Sequence, residues 1–266
     1  MIIPAPEFHV YRCFGDDAEA FLQNQFTGEV CTISEGGWSL SGYCSPKGRL
    51  LALFFVYRWE NEFLVSTHGS LAEHVIARLR MYVMRADVSF ELLNGQHLAF
   101  HDKRANGADG LKGSSEPFSL QNLLDVSTID AVTTDEAGKT AAFHALCIEL
   151  GLPLISAPLS EALIPQSVNL DLVGGVSFKK GCYPGQEIVA RVRYRGKPKQ
   201  RMIRAVAEHP QLPEPGTALK CTPTKSGRDG VVICAAVDQT CDEIQLLAAV
   251  PTEAITPLQS GGLFWE

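Results

Sequence analysis

The residues with the clearest chemical potential lie in segment 179–193, which reads KKGCYPGQEIVARVR. Cys182 follows two lysines, Lys179 and Lys180, and neighbouring cations lower the pKa of a thiol and favour its reactive thiolate form. Glycines on both sides of the cysteine and a proline after it predict a tight turn. The pattern predicts that Cys182 is accessible and reacts faster than the other cysteines. The alternative is a purely structural turn in which the cysteine serves as a small apolar residue.

The same part of the chain is strongly basic. Residues 179–204 carry nine basic residues and one acid, Glu187, whereas the whole chain has a net charge of −7. A basic segment on an acidic body indicates an anionic partner, such as nucleic acid, a phosphate or a polycarboxylate, or else pairing with the acidic body itself. Arg191, Arg193 and Arg195 alternate, which predicts a strand with one arginine face suited to carboxylates or phosphates.

Length and composition predict a globular protein of two or three compact units. The 266 residues are 45% hydrophobic and 20% charged. The longest apolar run, Leu50–Tyr57, is too short to cross a bilayer, and the N-terminus shows no secretory signal. The eight cysteines contain no C-x-x-C pair and no finger-type zinc spacing. We therefore expect reduced thiols in the cytoplasm, no metal site and no membrane contact.

Hydrophobic periodicity predicts an α+β chain with antiparallel hairpins rather than a doubly wound parallel sheet. A long irregular segment, 156–178, separates the α+β part from a small all-β tail. The predicted strands are Trp38–Cys44, Leu50–Trp59, Phe63–Thr67, Val88–Leu92, Leu98–Phe100, Met202–Ala207, Val231–Val237 and Glu243–Ala249, and the predicted helices begin near Ala18, Leu71 and Asp135.

Four stretches of the chain form a recognisable set of motifs. The most specific is FKKGCYPGQE at residues 178–187, followed by VAR at 189–191. The others are GDDA with FLQNQFT within 15–27, CSPKGRL at 44–50 and IPQSVNL at 164–170. Together they resemble the YgfZ family, which is related to the glycine-cleavage T-protein, a folate-dependent aminomethyltransferase.

The resemblance implies a multi-domain aminomethyltransferase-like fold, with three domains around a central opening. The first domain would be discontinuous, formed by residues 1–45 and 151–200, and would carry the cysteine motif. Residues 46–150 would form a ferredoxin-like α+β middle domain. Residues 201–266 would form a small C-terminal β-barrel.

The resemblance also implies that tetrahydrofolate, or a derivative of it, binds inside. Phe8 and Phe143 lie at the positions of two aromatic residues that contact folate in the family, and a flat pterin stacks well on such rings. Plain core packing is the alternative for both. The amides of Gln166 and Asn169 suit hydrogen bonds to a pterin, unless the irregular segment uses them for its own backbone.

Polar residues of the cysteine motif are further candidates. The two lysines would lower the thiol pKa or hold the glutamate tail of the folate, or else form a solvated surface. The glutamine and glutamate after the turn would orient the cysteine or bind the pterin edge, or else cap the turn. The candidate catalytic residues are Cys182, Lys180 and Glu187, and the candidate folate-binding residues are Phe8, Phe143, Gln166, Asn169, Lys179, Gln186 and Arg191.

For function, the resemblance implies an accessory protein that supports iron–sulfur cluster assembly or repair in client enzymes, including ones that modify tRNA. A folate-dependent one-carbon (aminomethyl) transferase is the alternative, although the sequence shows no counterpart of that enzyme's catalytic aspartate. Direct RNA binding is a third option. The net charge of −7, with only Tyr183 and Tyr194 available for stacking in the basic stretch, argues against tight nucleic-acid binding.

Overall fold

The computed structural model describes residues 2–102, 124–130, 136–207, 211–221, 227–238 and 242–255. Within these ranges the chain forms three antiparallel β-sheets and four α-helices. The predicted α+β class is confirmed. No helix in the described ranges is long and apolar enough to cross a membrane.

The elements follow one another in an order close to the predicted one. The strands are β1 Ile2–Ala5, β2 Phe8–Phe14, β3 Trp38–Cys44, β4 Leu50–Trp59, β5 Glu62–His68, β6 Ser89–Leu92, β7 Gln96–Asp102, β8 Leu124–Asp130, β9 Gln200–Ala207, β10 Ala218–Leu219, β11 Gly230–Asp238 and β12 Glu243–Pro251. The helices are α1 Ala18–Gln25, α2 Gly69–Val83, α3 Glu136–Leu150 and α4 Gln186–Arg195.

The five-stranded sheet has the order β3-β4-β5-β2-β6, and all its neighbouring strands are antiparallel. Strand β4 is apolar along most of its length, as expected for a strand that is covered on both faces. Helices α1 and α2 contact β5. The predicted boundary between residues 45 and 46 lies in the turn that joins β3 to β4, inside this sheet; the division into domains stays a prediction.

A three-stranded sheet, β1-β7-β8, faces the five-stranded sheet. Aromatic rings connect the two, since the ring centroids of Phe55 on β4 and Phe100 on β7 are 5.0 Å apart. Helix α3 contacts β1 and also β11 of the third sheet. It ends before Gly151, which takes the left-handed conformation (φ +64°) that glycine adopts without cost.

The third sheet is the described part of the predicted all-β tail, with the order β10-β11-β12-β9. One of its faces joins the main core through residues such as Ile233 and Leu247. Its other face forms a smaller core of its own around Leu219 and Leu246. The alternation of inward and outward side chains along these strands is the reason that one sheet serves two cores.

The segment between α3 and α4 is irregular, as predicted, and contains two short 3₁₀ turns. It runs beside the start of β4: the N–H of Leu50 donates to the carbonyl of Leu163 (2.8 Å), and the N–H of Glu161 donates to the carbonyl of Leu50 (2.7 Å). This pairing keeps the cysteine motif that follows close to the β3–β4 hairpin.

The predicted arginine strand is wrong, because that stretch forms helix α4. Its apolar residues follow a helical period, and Val189 is fully buried. Arg191 and Arg195 lie one turn apart on the outer face. Arg193 lies on another side of the helix, where its Cζ is 5.3 Å from the ring centroid of Phe178. The three arginines therefore share no single face.

Candidate functional site

The cysteine turn is anchored by the side chain of Lys180, which points inward. Its Nζ donates hydrogen bonds to the carbonyls of Phe26 (2.7 Å) and Gly28 (2.6 Å), and only 8% of the residue is exposed. The amine lies 5.6 Å from the ring centroid of Tyr183. Phe26 is the C-cap of α1, so the ammonium meets carbonyl groups at the end of a helix, where a positive charge is favourable.

Burial lowers the pKa of Lys180 to about 8, while Glu29 and Cys31 nearby act in the opposite direction. A buried ammonium is costly unless hydrogen bonds replace its water. The hydrogen bonds of this amine go to main-chain carbonyls. Its observed contacts therefore make Lys180 an anchor of the turn, whereas a direct effect on the thiol of Cys182 stays a prediction.

Thr27 lies between the two residues whose carbonyls accept hydrogen bonds from Lys180, and it is fully buried. Its hydroxyl donates to the carbonyl of Gly175 (2.6 Å) and accepts from the N–H of Gly42 on β3 (2.8 Å). Its carbonyl accepts from the N–H of Ser177 (2.8 Å). One buried residue thus joins the end of α1, strand β3 and the segment that leads into the cysteine motif.

Ser177 and Gln186 hold the two ends of the turn. The Ser177 hydroxyl oxygen accepts from the N–H groups of Lys179 and Lys180, both at 3.3 Å, and lies 3.0 Å from Oε2 of Glu29. The side-chain amide of Gln186 donates to the carbonyl of Lys180 (3.4 Å). Gln186 therefore connects the end of the turn to its start. The side chain of Lys179 forms no part of this network and is exposed.

The turn also packs against the β3–β4 hairpin, and the two backbones approach each other closely at two glycines. Gly185 has φ +80°, and a Cβ built there would lie 2.5 Å from the carbonyl oxygen of Ser45 and 2.7 Å from Cα of Gly48. A Cβ on Gly48 (φ +68°) would lie 2.8 Å from Cβ of Ile188. Only glycine permits this conformation and this approach at both positions. Two of the four sequence motifs therefore meet here.

The amides of Gln166 and Asn169 are used by the protein itself. Nε2 of the fully buried Gln166 donates to the carbonyl of Val189 in α4 (2.7 Å), and Nδ2 of Asn169 donates to the carbonyl of Met202 in β9 (2.8 Å). These bonds attach the irregular segment to α4 and β9. The amides therefore bond to the protein backbone, which was the alternative to pterin binding, and a contact with folate stays a prediction. Oε1 of Gln166 has no hydrogen-bond partner within the described protein.

Glu187 and Arg191 lie at the surface of α4. Their side chains form an i, i+4 ion pair at 3.4 Å and are 84% and 63% exposed. Such a pair contributes little to stability in water. Both groups are free to contact a ligand or partner from outside, but neither lies inside an enclosed site.

Phe8 and Phe143 come together, as expected for two residues of one site, but they do so inside the core. Phe8 is 2% exposed and Phe143 is 0% exposed. Their ring centroids are 5.6 Å apart, and Phe143 stacks on Phe100 at 5.1 Å. The structure therefore shows core packing for both rings, and a direct folate contact stays a prediction.

A cleft of about 280 Å³ opens between the five-stranded and three-stranded sheets, directly in front of this aromatic cluster. Phe55 lines it and also contacts Phe8, at a ring distance of 5.7 Å. Tyr57 and Trp59 follow on the same face of β4, and 52% of Trp59 is exposed. The described residues that line it are Val10, Phe55, Tyr57, Trp59, Leu64, Ser66, Leu98, Val126, Ser127 and Thr128.

Sequence reasoning missed this cleft, although a signal was present. Phe55, Tyr57 and Trp59 alternate along one strand, and residues two apart on a strand share a face. A row of three aromatic side chains on one face is suited to a flat ligand. The pattern alone did not reveal that a second sheet would stand opposite and leave space between.

Two of the seven described cysteines, Cys31 and Cys182, are exposed. The other five are buried, and burial raises the pKa of Cys13, Cys44 and Cys234 to about 12. Cys241 lies outside the described residues. Among the described residues, no group of three or more His, Cys, Asp or Glu side chains is arranged to hold a metal ion.

Similarity to known proteins is found at the level of sequence and of fold. No protein-family model matches the chain. It is 31% identical over 251 residues to the tRNA-modifying protein YgfZ of Enterobacter sp. (strain 638), covering 84% of this chain and 77% of the relative. It is 28% identical over 277 residues to the protein of the same name from Cronobacter sakazakii (strain ATCC BAA-894), covering 94% and 83%.

A solved structure shares the fold. The crystal structure of glycine cleavage system aminomethyltransferase T from Bartonella henselae superposes with a TM-score of 0.66 at 16% sequence identity, over 95% of this chain and 78% of the other. The predicted aminomethyltransferase-like fold is therefore confirmed.

The buried position of Lys180 predicts a specific pH dependence of stability. Its pKa in the folded protein is about 8, below the ordinary value of 10.5, so between these values the unfolded chain binds more protons. The contribution of Lys180 to the free energy of unfolding should therefore rise with pH in this window, by up to about 1.4 kcal/mol per pH unit. The buried thiols, whose raised pKa acts in the opposite direction, are common to both proteins, so denaturant titrations from pH 7.5 to 10.5 should show the free energy of unfolding of the wild-type protein rising relative to that of Lys180→Met.

Lys179→Met is the matched control, because it removes an exposed lysine at the adjacent position. It should follow the wild-type pH profile. Parallel profiles for wild type and Lys180→Met would contradict the prediction.

Exposure and pKa also predict the order of thiol reactivity. A pKa of about 12 instead of 9.0 leaves Cys13, Cys44 and Cys234 with about a thousandfold less thiolate near neutral pH. Iodoacetamide labelling followed by mass spectrometry should modify Cys182 first. Cys31 is the matched comparison, because it is exposed but has no lysine or glycine directly beside it in the sequence. A labelling rate for Cys182 as low as that of the buried thiols would overturn this order.

Proposed function

The chain belongs to the YgfZ family, and from this premise we propose that it is a folate-binding accessory protein that supports iron–sulfur cluster assembly or repair in client enzymes. Its effect on tRNA modification, the activity in the name of its relatives, would then be indirect, through client enzymes that carry such clusters. The proposed location is the cytoplasm, where thiols stay reduced.

The observation that carries this proposal is the exposed Cys182 on an anchored turn. Thiolates are ligands of iron–sulfur clusters and nucleophiles in disulfide exchange. Lys180 and Gln186 hold the turn, so the thiol is presented at a fixed place on the surface. A structural cysteine would be buried, as Cys13, Cys44 and Cys147 are.

The cleft between the sheets is the proposed place for the pterin of tetrahydrofolate. Its volume of about 280 Å³ is at the low end of ligand pockets, which suits one bicyclic ring with its tail outside. Tyr57 and Trp59 offer rings for stacking at the mouth, and the hydroxyl of Thr128 lies on the opposite wall. Lys179 and Arg191, both exposed cations of the cysteine motif, stay candidates for binding a glutamate tail, and neither is among the described residues that line this cleft.

A folate-dependent one-carbon transferase is the second candidate, and the fold favours it, because an aminomethyltransferase shares it. The two functions differ in their products. Turnover of methylene-tetrahydrofolate by the purified protein would favour the transferase. An accessory protein would bind the folate without consuming it.

Folate binding is tested by calorimetry with tetrahydrofolate. Trp59→Ala should weaken binding, because stacking of a heterocycle on an aromatic side chain contributes about 1–3 kcal/mol. A triglutamyl folate should bind more tightly than the monoglutamate at low salt, and this advantage should shrink as salt screens the cations. Tyr82→Ala, which removes another exposed aromatic ring, is the control and should leave binding unchanged. Absence of binding at millimolar folate would count against the proposal.

The role of the thiol is tested in a bacterial strain that lacks the gene for this protein, by asking which variants restore the activity of iron–sulfur enzymes. Cys182→Ala should unfold at the wild-type temperature, because the side chain is exposed, but should not restore the activity of iron–sulfur enzymes. Cys31→Ala removes the other exposed described thiol and should restore that activity. Full rescue by Cys182→Ala, or normal iron–sulfur enzyme activity in the deletion strain, would refute the proposal.

A further inference from the structure

The outer face of α4 combines charge and an exposed aromatic ring. The face opposite the buried Val189 carries Glu187, Arg191, Tyr194 and Arg195, which follow the i, i+3, i+4 spacing of one helix side. Tyr194 is 68% exposed, and the charged residues are exposed as well. The helix begins four residues after Cys182, so this face adjoins the cysteine turn.

The positive charge of this face is largely available to a partner. The exposed Lys179, Lys197 and Lys199 extend it at both ends of the helix. Among the described residues, the ion pair formed by the outer face of α4 is the one between Arg191 and Glu187, at a distance of 3.4 Å and with both side chains mostly exposed. The sequence left open whether acidic residues elsewhere in the chain neutralise the basic segment. On the outer face of α4, no described ion pair joins an arginine to an acidic residue outside the helix.

The aromatic ring on this face is held in place by its neighbours. Tyr194 meets Phe178 edge to face, with ring centroids 6.1 Å apart. Phe178 itself packs against the main core, and the guanidinium of Arg193 lies 5.3 Å above its ring. A side chain that is ordered before binding loses less conformational entropy when a partner covers it.

We propose that the outer face of α4 is the docking surface for an acidic segment of a partner protein, which brings the group on which Cys182 acts to the thiol. Arginine and tyrosine are the residue types that contribute most to protein–protein interfaces. The arginines would pair with carboxylates of the partner, and Tyr194 would form the apolar centre. The inference rests on the proposed function in one respect, that the docked protein is a client or assembly partner.

An acidic protein fits this face better than RNA does. α4 has ten residues, which gives it a length of about 15 Å, and it exposes one aromatic ring. Specific RNA binders usually present a broader basic surface and several stacking rings. The chain as a whole has a net charge of −7, which repels a long polyanion such as RNA. A short acidic segment of a protein contacts only the basic face of α4 and is repelled less by the rest of the chain.

The test is site-specific photo-crosslinking of the full chain in cells. p-Benzoylphenylalanine replaces Tyr194, which keeps an aromatic ring there, and in a second strain it replaces Lys197. We expect an adduct that protease removes and ribonuclease does not, with the crosslinked peptide in an acidic segment of the partner. Combining the label with Arg191→Glu and Arg195→Glu should lower the adduct yield about tenfold, because two attractive pairs become repulsive.

Arg80→Glu with Arg85→Glu is the matched control, since it makes the same charge change at two exposed positions near the β6 edge of the five-stranded sheet, whereas α4 packs against the β3–β4 hairpin at the other edge. It should leave the adduct intact. Lysines in place of the acidic residues of the crosslinked segment should restore the adduct of the Arg191→Glu, Arg195→Glu protein. An adduct with RNA, an adduct insensitive to the reversal on α4, or no adduct at either position would overturn the inference.

The same strains separate this inference from the proposed function. Cys182→Ala should keep the adduct while failing in complementation. If no charge-dependent adduct forms but complementation still requires Cys182, the docking inference fails and the proposed function stands. A charge-dependent adduct in a strain whose iron–sulfur enzymes do not need the protein would support the docking surface and refute the function.

Discussion

The buried ammonium of Lys180 is the interaction on which the arrangement of the cysteine turn depends. It inserts a charge among the carbonyls at the end of α1, where hydrogen bonds to Phe26 and Gly28 replace the water that burial removes. A buried cation without such partners would be strongly unfavourable, so the turn has little freedom to leave this position. The consequence is that Cys182, two residues further on, is exposed at a fixed location.

Steric fit reinforces this electrostatic anchor. Gly185 and Gly48 allow the turn and the β3–β4 hairpin to approach more closely than any residue with a side chain would permit. The backbone of α4 then continues outward from Gly185, with Val189 buried beneath it. The anchored lysine and the glycine contact therefore decide together where the thiol lies and where the basic helix points.

The aromatic residues show how packing and binding compete for the same side chains. Phe8 and Phe143 are used by the core, as one ring layer among Phe55 and Phe100. Burying a phenylalanine is favourable by itself, and protein atoms cover both rings in this structure. The rings with accessible surface are those further along β4, where the two sheets separate and leave a cleft.

The sequence by itself determined most of the local elements, because hydrophobic periodicity and turn residues act over short distances. The strands of the β3–β4–β5 meander, the two long helices and the turn around Cys182 were predictable in this way. Helix α4 was not, since its arginines alternate with period two while its apolar residues follow a helical period, and burial of Val189 decides between them. Only the tertiary structure decided that Lys180 points inward, because its partners lie 154 and 152 positions away in the chain and no local pattern encodes such a contact.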